Sequence, residues 1–270
     1  MHPFLTIANR AARQAGKIIL DGLERLDRVR KRQKNENRGV VTEIDVHAEN
    51  VIIDTIRDAY PQHGILAEES GLIEGNGYTW IIDPLDGTCN FIHDFPHFAV
   101  SIAVKNQAKN RIEYALIYDP LRQEVFSAER GCGAYLNASQ RFPRRLRVSN
   151  RFSIEESLLS ISIPSRELLN TWVPPLDKEA LRTMMAQASG VRRTGSAVLD
   201  LAYVAAGRLD AALELHLEAW DIAAGALLVQ EAGGINCDLQ GGERYFETGH
   251  IIAASPKLCP ILLRTVQSKR

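Results

Sequence analysis

The stretch WIIDPLDGTCNF, residues 80–91, joins an apolar run to two closely spaced acids. Its first three residues have the composition of a buried strand, and Asp83 and Asp86 follow at the end of that run. Two like charges beside a buried strand repel each other unless a cation lies between them. A ligand set made of oxygen alone suits magnesium, manganese or calcium rather than zinc or copper, which are usually held by nitrogen or sulfur ligands. The stretch therefore indicates a site for hard divalent cations.

Acids also end or interrupt two other apolar segments. Glu68 and Glu69 follow a short apolar run, and Asp221 lies near the start of AWDIAAGALLVQEAGG. Gly87 and Thr88 would add backbone amides for a phosphate if a helix begins there. Cations beside an anion-binding turn favour metal-assisted phosphoryl hydrolysis. Spacing alone leaves open the alternative that these acids are only caps or turn residues, and it does not show that the distant segments meet.

The composition is that of an ordinary globular protein. The chain has 270 residues, of which 45% are hydrophobic and 24% charged, and its net charge is −1. No global basic field argues for nucleic acid, and the apolar runs are too short to span a membrane. The four cysteines show no C-x-x-C spacing, which is typical of a reducing compartment and speaks against a zinc site. We therefore expect a cytoplasmic protein without membrane association.

Helices and strands alternate throughout the chain. Helical spacing of apolar residues predicts helices over 3–26, 40–60, 178–189, 196–207 and 219–234. Strand patterns fall at 64–71, 78–84, 97–106, 111–120, 123–131, 157–164, 209–217 and 250–255, and residues 131–137 suggest a turn at a strand edge. A basic stretch at 138–150 suggests a boundary between an N-terminal half, 1–145, with most of the metal ligands, and a C-terminal half, 146–270, with Asp221 and the substrate-binding segments. Both halves would form one continuous domain.

Three segments together resemble the signatures of the inositol monophosphatase family. They are AEES, WIIDPLDGTCNF and AWDIAAGALLVQEAGG, and the resemblance extends over nearly the whole chain. It implies a mixed α+β fold, a layered αβαβα sandwich, and a homodimer. It also implies hydrolysis of a small-molecule phosphomonoester, inositol-1-phosphate, by direct attack of water, with two or three Mg²⁺ ions per active site and inhibition by lithium.

The resemblance also implies a role for each matching residue. The metal ligands are Glu68, Asp83, Asp86 and Asp221, with the backbone carbonyl of Leu85. The catalytic residues are Glu68, Thr88, which orients the attacking water, and Asp45, the acidic partner of Thr88. The substrate-binding residues are Gly87, Thr88, Gly195, Ser196, Ala197, Glu214 and Asp221. Thr42 and Lys34 match flanking positions on a loop over the metals.

Three departures from the family pattern bear on the substrate. Cys89 replaces a threonine, and we interpret it as a small packing residue because the mechanism needs no thiol. His216 stands where the family commonly has glycine, so its ring either narrows the substrate pocket or turns to solvent. The segment 160–165 lacks the glycine and aromatic residue of related sequences. The latter two leave the preferred alcohol open, including a nucleotide or sugar bisphosphate.

A function of another class stays open beside phosphatase activity. A bacterial branch of the family with similar segments takes part in ribosomal RNA transcription complexes through the transcription factor NusA. The resemblance thus allows association with NusA or RNA polymerase, with catalysis dispensable. Five arginines between residues 141 and 151 also allow contact with RNA phosphates, although such clusters are usually solvated faces.

Overall fold

The computed structural model describes residues 2–33, 40–138, 141–162 and 178–267. Lys34 and residues 163–165, for which the sequence raised expectations, lie outside these ranges. The helices of the described part are Pro3–Leu23 (α1), Glu43–Ala59 (α2), Thr88–Ile92 (α3), Lys178–Gln187 (α4), Ala197–Ala205 (α5), Ala219–Glu231 (α6), Tyr245–Thr248 (α7) and Cys259–Gln267 (α8). A 3₁₀ turn, Leu26–Arg28, follows α1.

A large mixed sheet contains the apolar run and the two acids of residues 80–86. Its strands are Gly64–Ala67 (β3), Gly71–Ile73 (β4), Tyr78–Asp86 (β5), Ala99–Asn106 (β6), Arg111–Asp119 (β7), Glu124–Glu129 (β8), Gly133–Leu136 (β9) and Arg144–Arg145 (β10). They lie in the order β10-β9-β8-β7-β6-β5-β3-β4. Strands β3 and β5 are parallel, whereas the other neighbours are antiparallel. The parallel pair places the ends of β3 and β5, with their acids, at the same edge.

A second mixed sheet has five strands. They are Leu158–Ser162 (β11), Gly190–Arg192 (β12), Ala211–Glu214 (β13), Ile235–Cys237 (β14) and Ile251–Ala254 (β15), in the order β12-β11-β13-β15-β14. Strand β11 runs parallel to β12 and β13, and β15 runs antiparallel to its two neighbours. A two-stranded ribbon, Lys31–Gln33 (β1) with Val40–Thr42 (β2), leads into α2.

The elements pack in five layers, αβαβα. Helices α1 and α2 cover one face of the large sheet, α5 and α6 fill the space between the two sheets, and α4 and α8 cover the outer face of the small sheet. Helix α6 is apolar on nearly every side because both of its faces are buried. A Cβ at Gly225 would lie 2.5 Å from Leu201 Cβ, so glycine is what lets α5 and α6 approach this closely.

The sequence predicted the long helices and most of the strands, but it missed strands β4, β12 and β14 and helix α7. The helix predicted over 40–60 begins at Glu43, because residues 40–42 pair as β2. Helix α1 ends at Leu23, before the predicted residue 26, because a 3₁₀ turn follows it. Residues 133–136 form strand β9 rather than a turn at a strand edge. Helix α8 had not been predicted. Within the predicted boundary segment, Arg144–Arg145 pairs with β9 and Leu146 is buried. None of the helices in the described ranges combines the length and apolar character needed to cross a bilayer.

Candidate active site

Three carboxylates from two distant segments converge between the two sheets. Asp83 and Asp86 lie at the end of β5, and Asp221 lies in the first turn of α6. One carboxylate oxygen of each lies within 4.8 Å of those of the other two. Asp83 is buried, and Asp86 and Asp221 are half-buried. The donor set consists of oxygen only, which fits a hard divalent cation such as Mg²⁺.

A β-bulge brings the first two acids together. Asp83 pairs with Ser101 of β6, but Asp86, three residues on, pairs with Ala99, two residues back. The extra residue on β5 bends the strand at its end. The backbone N–H of Leu85 donates to Asp83 Oδ1 at 3.0 Å and holds that carboxylate in the bend. The spacing Asp-x-x-Asp therefore places both carboxylates on one cluster, which a regular strand would not do, because residues three apart point to opposite faces.

The N-termini of two helices hold the carboxylates of Asp86 and Asp221. Asp86 Oδ2 accepts the backbone N–H of Val198 at 2.9 Å and the hydroxyl of Ser196, both at the start of α5. Asp221 Oδ2 accepts the Glu218 N–H at 2.8 Å, which closes a capping box at the start of α6. Backbone N–H groups and the helix dipole favour negative charge at these positions.

The acids raise one another's pKa in the absence of a cation. Burial first, and then the charges of Glu68, Asp86 and Asp221, raise the pKa of Asp83 well above its usual value. Burial and the charge of Asp221 likewise raise the pKa of Asp86. Burial raises the pKa of Asp221 to about 7. Protons therefore compete for this site, and cation binding must displace them.

Glu68 lies beside this cluster at the end of β3. Its backbone N–H donates to the Ile82 carbonyl at 3.2 Å, which continues the pairing of β3 with β5. Its charge is among the causes that raise the pKa values of Asp83, Asp221 and Asp45. The backbone N–H of the neighbouring Glu69 donates to Glu49 Oε2 at 2.8 Å, which ties this segment to α2.

A second hydrogen-bonded unit joins α3 to the start of α2. The Thr88 hydroxyl lies 2.8 Å from Asp45 Oδ1 and 3.1 Å from the Leu85 carbonyl oxygen. Asp45 is fully buried, and its other oxygen accepts the N–H and hydroxyl of Thr42 at 2.9 and 2.5 Å. Burial raises the pKa of Asp45, although these hydrogen bonds oppose that rise. The structure thus places Thr88, Asp45 and the Leu85 carbonyl together.

The turn between β5 and α3 depends on glycine. Gly87 caps α3 with a φ of 92°, and a Cβ there would lie 2.9 Å from the His97 carbonyl oxygen. Gly195 also has a positive φ, 82°, and it leads into Ser196 and Ala197 at the start of α5. Through Ser196, this segment contacts Asp86 of the acid cluster directly.

Two of the residues expected near a substrate have other surroundings. Glu214, at the end of β13, has no exposed surface, so a substrate hydroxyl could reach it only after a neighbouring group moves. His216 is exposed, has a φ of 58°, and contacts the ring of His250 edge-on at 4.8 Å between centroids. The backbone conformation that favours glycine is therefore kept with histidine in its place. Cys89 is an exposed free thiol.

Several residues that shape the site were missed at the sequence level. The bonds of Ser196 and Val198 to Asp86 join segments more than a hundred residues apart, so no local spacing reveals them. Asp200 and Thr194, which lie six residues apart and form a hydrogen bond behind that segment, were also missed. The capping spacing Thr-x-x-Asp at Thr42 was the one local signal that points to the orientation of Asp45.

Known proteins resemble this chain over its full length. The sequence profile described as "Inositol monophosphatase family" matches residues 1–270. Nus factor SuhB of Pseudomonas aeruginosa is 50% identical over 273 residues, which cover 99% of this chain and 97% of that protein. Extragenic suppressor protein suhB of Bartonella henselae has a crystal structure that matches with a TM-score of 0.92 and 38% identity over 100% of both chains.

A structure with a bound ligand is also similar. The crystal structure of inositol monophosphate-bound SaIMPase-II, the Staphylococcus aureus inositol monophosphatase II, matches with a TM-score of 0.79 and 25% identity, over 98% of this chain and 93% of that one. The match of the family profile over the full length, together with the converging acids, leads to one conclusion. This chain belongs to the inositol monophosphatase family.

Proposed function

We propose that the protein is a magnesium-dependent phosphomonoesterase that hydrolyses inositol-1-phosphate to inositol and phosphate. The observation that carries the proposal is the cluster of Asp83, Asp86 and Asp221 within 4.8 Å, next to the hydrogen-bonded pair of Thr88 and Asp45. Membership of the inositol monophosphatase family supports it. The relative with inositol monophosphate bound supports the substrate class.

The acids would hold two or three Mg²⁺ ions. The expected ligands are Glu68, Asp83, Asp86, Asp221 and the carbonyl oxygen of Leu85. Bound ions would polarise the phosphate, lower the pKa of a bound water and neutralise charge on the leaving oxygen. The protein's own part is to bring the carboxylates together and orient them. The bulge of β5 does so for Asp83 and Asp86, and the N–H groups at the starts of α5 and α6 hold Asp86 and Asp221.

Thr88 is suited to orient the attacking water. If its hydroxyl donates to Asp45 Oδ1, at 2.8 Å, its oxygen lone pairs are left to accept a hydrogen bond from water. The buried, doubly hydrogen-bonded Asp45 fixes that direction. We infer that Thr88 and Asp45 act as one unit with Glu68 in attack by water, without a phosphorylated enzyme.

The substrate would lie across the start of α3 and the start of α5. The backbone amides of Gly87 and Thr88 are proposed to bind the phosphate. Gly195, Ser196 and Ala197 are proposed to contact the alcohol part, because Ser196 is already held against Asp86. Glu214 would bind an alcohol hydroxyl only after movement of the groups that now cover it.

Phosphate release tests the proposal. Purified protein is assayed on inositol-1-phosphate, glycerol-2-phosphate, 2′-AMP, 3′-phosphoadenosine 5′-phosphate and fructose 1,6-bisphosphate, with magnesium and with lithium added. We expect release from inositol-1-phosphate that requires magnesium and falls with lithium. Stronger release from a nucleotide or a bisphosphate would refute the substrate assignment, and no release from any of them would refute the phosphatase assignment.

The relatives named Nus factor SuhB motivate a second candidate function. In this second function, the protein would bind NusA or RNA polymerase, and its phosphatase activity would be dispensable. The acid cluster does not favour the second function over the first. An Asp83→Asn protein separates the two, because it should lose phosphatase activity yet still recover NusA in a pull-down if the second role exists. We also propose a homodimer, to be tested by sedimentation, and a cytoplasmic location, to be tested by fractionation.

A further inference from the structure

Two acids are completely buried behind the substrate-side segment. Asp200 lies on α5 and Glu214 at the end of β13, and neither has exposed surface. Asp200 Oδ2 accepts the Ser160 hydroxyl at 2.5 Å and the Thr194 hydroxyl at 2.8 Å. The mechanism proposed above uses neither Asp200 nor these two hydrogen bonds.

The remaining oxygens of the two acids lack ordinary donors. Asp200 Oδ1 and both oxygens of Glu214 are buried, and among the described residues none forms a hydrogen bond of good geometry with them. The Ser162 hydroxyl is near enough to Glu214 to oppose the rise of its pKa in part. Asp200, Ser162 and Asp86 are the neighbouring groups that shift the pKa of Glu214. Ser160, Thr194 and Glu214 are those that shift the pKa of Asp200. None of these neighbours is a cation. Two buried carboxylates in contact cannot both be ionised without a large cost, whereas a single proton between them satisfies both.

The pKa directions agree with this assignment. Burial, followed by the charge of Asp200, raises the pKa of Glu214 well above its usual value. Burial raises the pKa of Asp200 only to about 6, because hydrogen bonds from Ser160, Thr194 and Glu214 stabilise its ionised form. Near neutral pH, Glu214 is therefore the proton donor and Asp200 the charged acceptor.

Hydrogen bonds connect this pair to the metal-site acid Asp86. The Thr194 hydroxyl, which donates to Asp200, also accepts the Ser196 N–H at 3.3 Å. The Ser196 hydroxyl in turn donates to Asp86 Oδ2, and the next residue but one, Val198, donates its N–H to the same oxygen at 2.9 Å. The order of the chain is thus Glu214, Asp200, Thr194, Ser196, Asp86.

We propose that Asp200 and Glu214 share one proton, and that Asp200, acting through Thr194 and Ser196, positions the Asp86 carboxylate for the cation. Asp200 and Thr194 are then positioning residues that touch neither the metal nor the substrate. This inference rests on the proposed function, since it takes Asp86 to be a metal ligand. Groups that orient metal ligands typically contribute roughly ten- to hundredfold to metal affinity.

Direct cation binding tests the positioning role. The probe is Mn²⁺, followed by electron paramagnetic resonance, beside the magnesium dependence of phosphate release. Thr194→Val keeps the size of the side chain but removes both hydrogen bonds, so we expect the Mn²⁺ dissociation constant to rise by roughly ten- to hundredfold. Thr194→Ser restores the hydroxyl and should restore the affinity. Asp200→Ala, a second variant if Thr194→Val does not fold, should weaken binding similarly.

A matched control separates positioning from stability. Thr55 is a buried threonine whose hydroxyl contacts Gln14 Oε1 at 2.6 Å, away from the acid cluster. Thr55→Val makes the same chemical change there, and it should leave Mn²⁺ affinity unaltered. If Thr194→Val binds Mn²⁺ as tightly as the wild type, the positioning role is wrong. If the wild type itself binds no Mn²⁺ and releases no phosphate, the proposed function fails instead.

Infrared spectroscopy tests the shared proton. With saturating magnesium, which keeps the metal-site acids ionised, the difference spectrum of wild type minus Glu214→Gln should contain the C=O stretch of a neutral carboxylic acid at mildly alkaline pH. Glutamine keeps a donor toward Asp200, so this variant should retain its Mn²⁺ affinity. A difference spectrum with only ionised carboxylate bands would overturn the shared proton.

Discussion

Asp221→Asn should stabilise the metal-free protein, even though it removes a proposed metal ligand. Burial raises the pKa of Asp221 from 3.8 to about 7. Because the pKa is higher in the folded protein, the folded protein binds more protons than the unfolded chain, and stability is lost as pH rises from 3.8 to about 7. A shift of this size corresponds to roughly 4 kcal/mol at about 1.4 kcal/mol per pH unit. Glu68 contributes to the shift, so this value is an upper limit for one substitution.

Asparagine removes the ionisation and keeps the helix cap. Its side-chain oxygen can still accept the Glu218 N–H, which lies 2.8 Å from the carboxylate in the wild type. We expect the free energy of unfolding of the metal-free variant to exceed that of the wild type above pH 7, and the difference to vanish below pH 3.8, where Asp221 is neutral in both states.

Urea unfolding followed by circular dichroism provides the assay. It is run with a chelator across this pH range and repeated with saturating magnesium. Magnesium should stabilise the wild type more than the variant, because ligands that bind only the folded state add to its stability. A metal-free variant that is less stable than the wild type above pH 7, or a stability difference that shrinks as pH rises, would refute the electrostatic reasoning.

Three further substitutions test separate parts of the site. Thr88→Val should lower kcat by roughly a hundredfold or more with little change in KM, because it removes the group that orients the water, whereas Thr88→Ser should retain activity; initial rates of phosphate release measure both. Gly87→Ala should destabilise the protein by on the order of 1–3 kcal/mol in chemical unfolding, because its φ is 92° and the added Cβ would lie 2.9 Å from the His97 carbonyl oxygen. His216→Gly should leave the KM for inositol-1-phosphate unchanged, since the ring is exposed and packs on His250; a clear fall in KM would show that the ring narrows the pocket.

The local parts of the site were predictable from sequence. Asp83 and Asp86 stand out because acids rarely end a buried strand without a cation or a cap. The helix pattern around Ile52 predicted α2 because an apolar period of 3.6 residues is strong over long segments. Helix α6 was predicted from a long apolar run with a glycine stop. The layered fold followed from the resemblance, and the order of the strands confirms it.

The rest depends on contacts between distant segments. Glu214 was expected to face the substrate, but sequence does not show that Asp200 lies beside it and that both are buried. Cys237 and Cys259 looked scattered, yet their sulfur atoms lie 3.5 Å apart where β14 meets α8. Such pairings depend on how sheets and helices stack, which local periodicity does not encode. The division into residues 1–145 and 146–270 remains a proposal, although each sheet is built from one side of that division.

We propose that the converging acids support magnesium-dependent hydrolysis of inositol-1-phosphate. The most direct test measures phosphate release from that substrate by the wild type and by Asp83→Asn, each with and without magnesium, after circular dichroism has shown that both are folded. The wild type should release phosphate only when magnesium is present, and the variant should release none, because the variant loses one charge that the cations need. Equal release by the variant, or release by the wild type without any divalent cation, would contradict it.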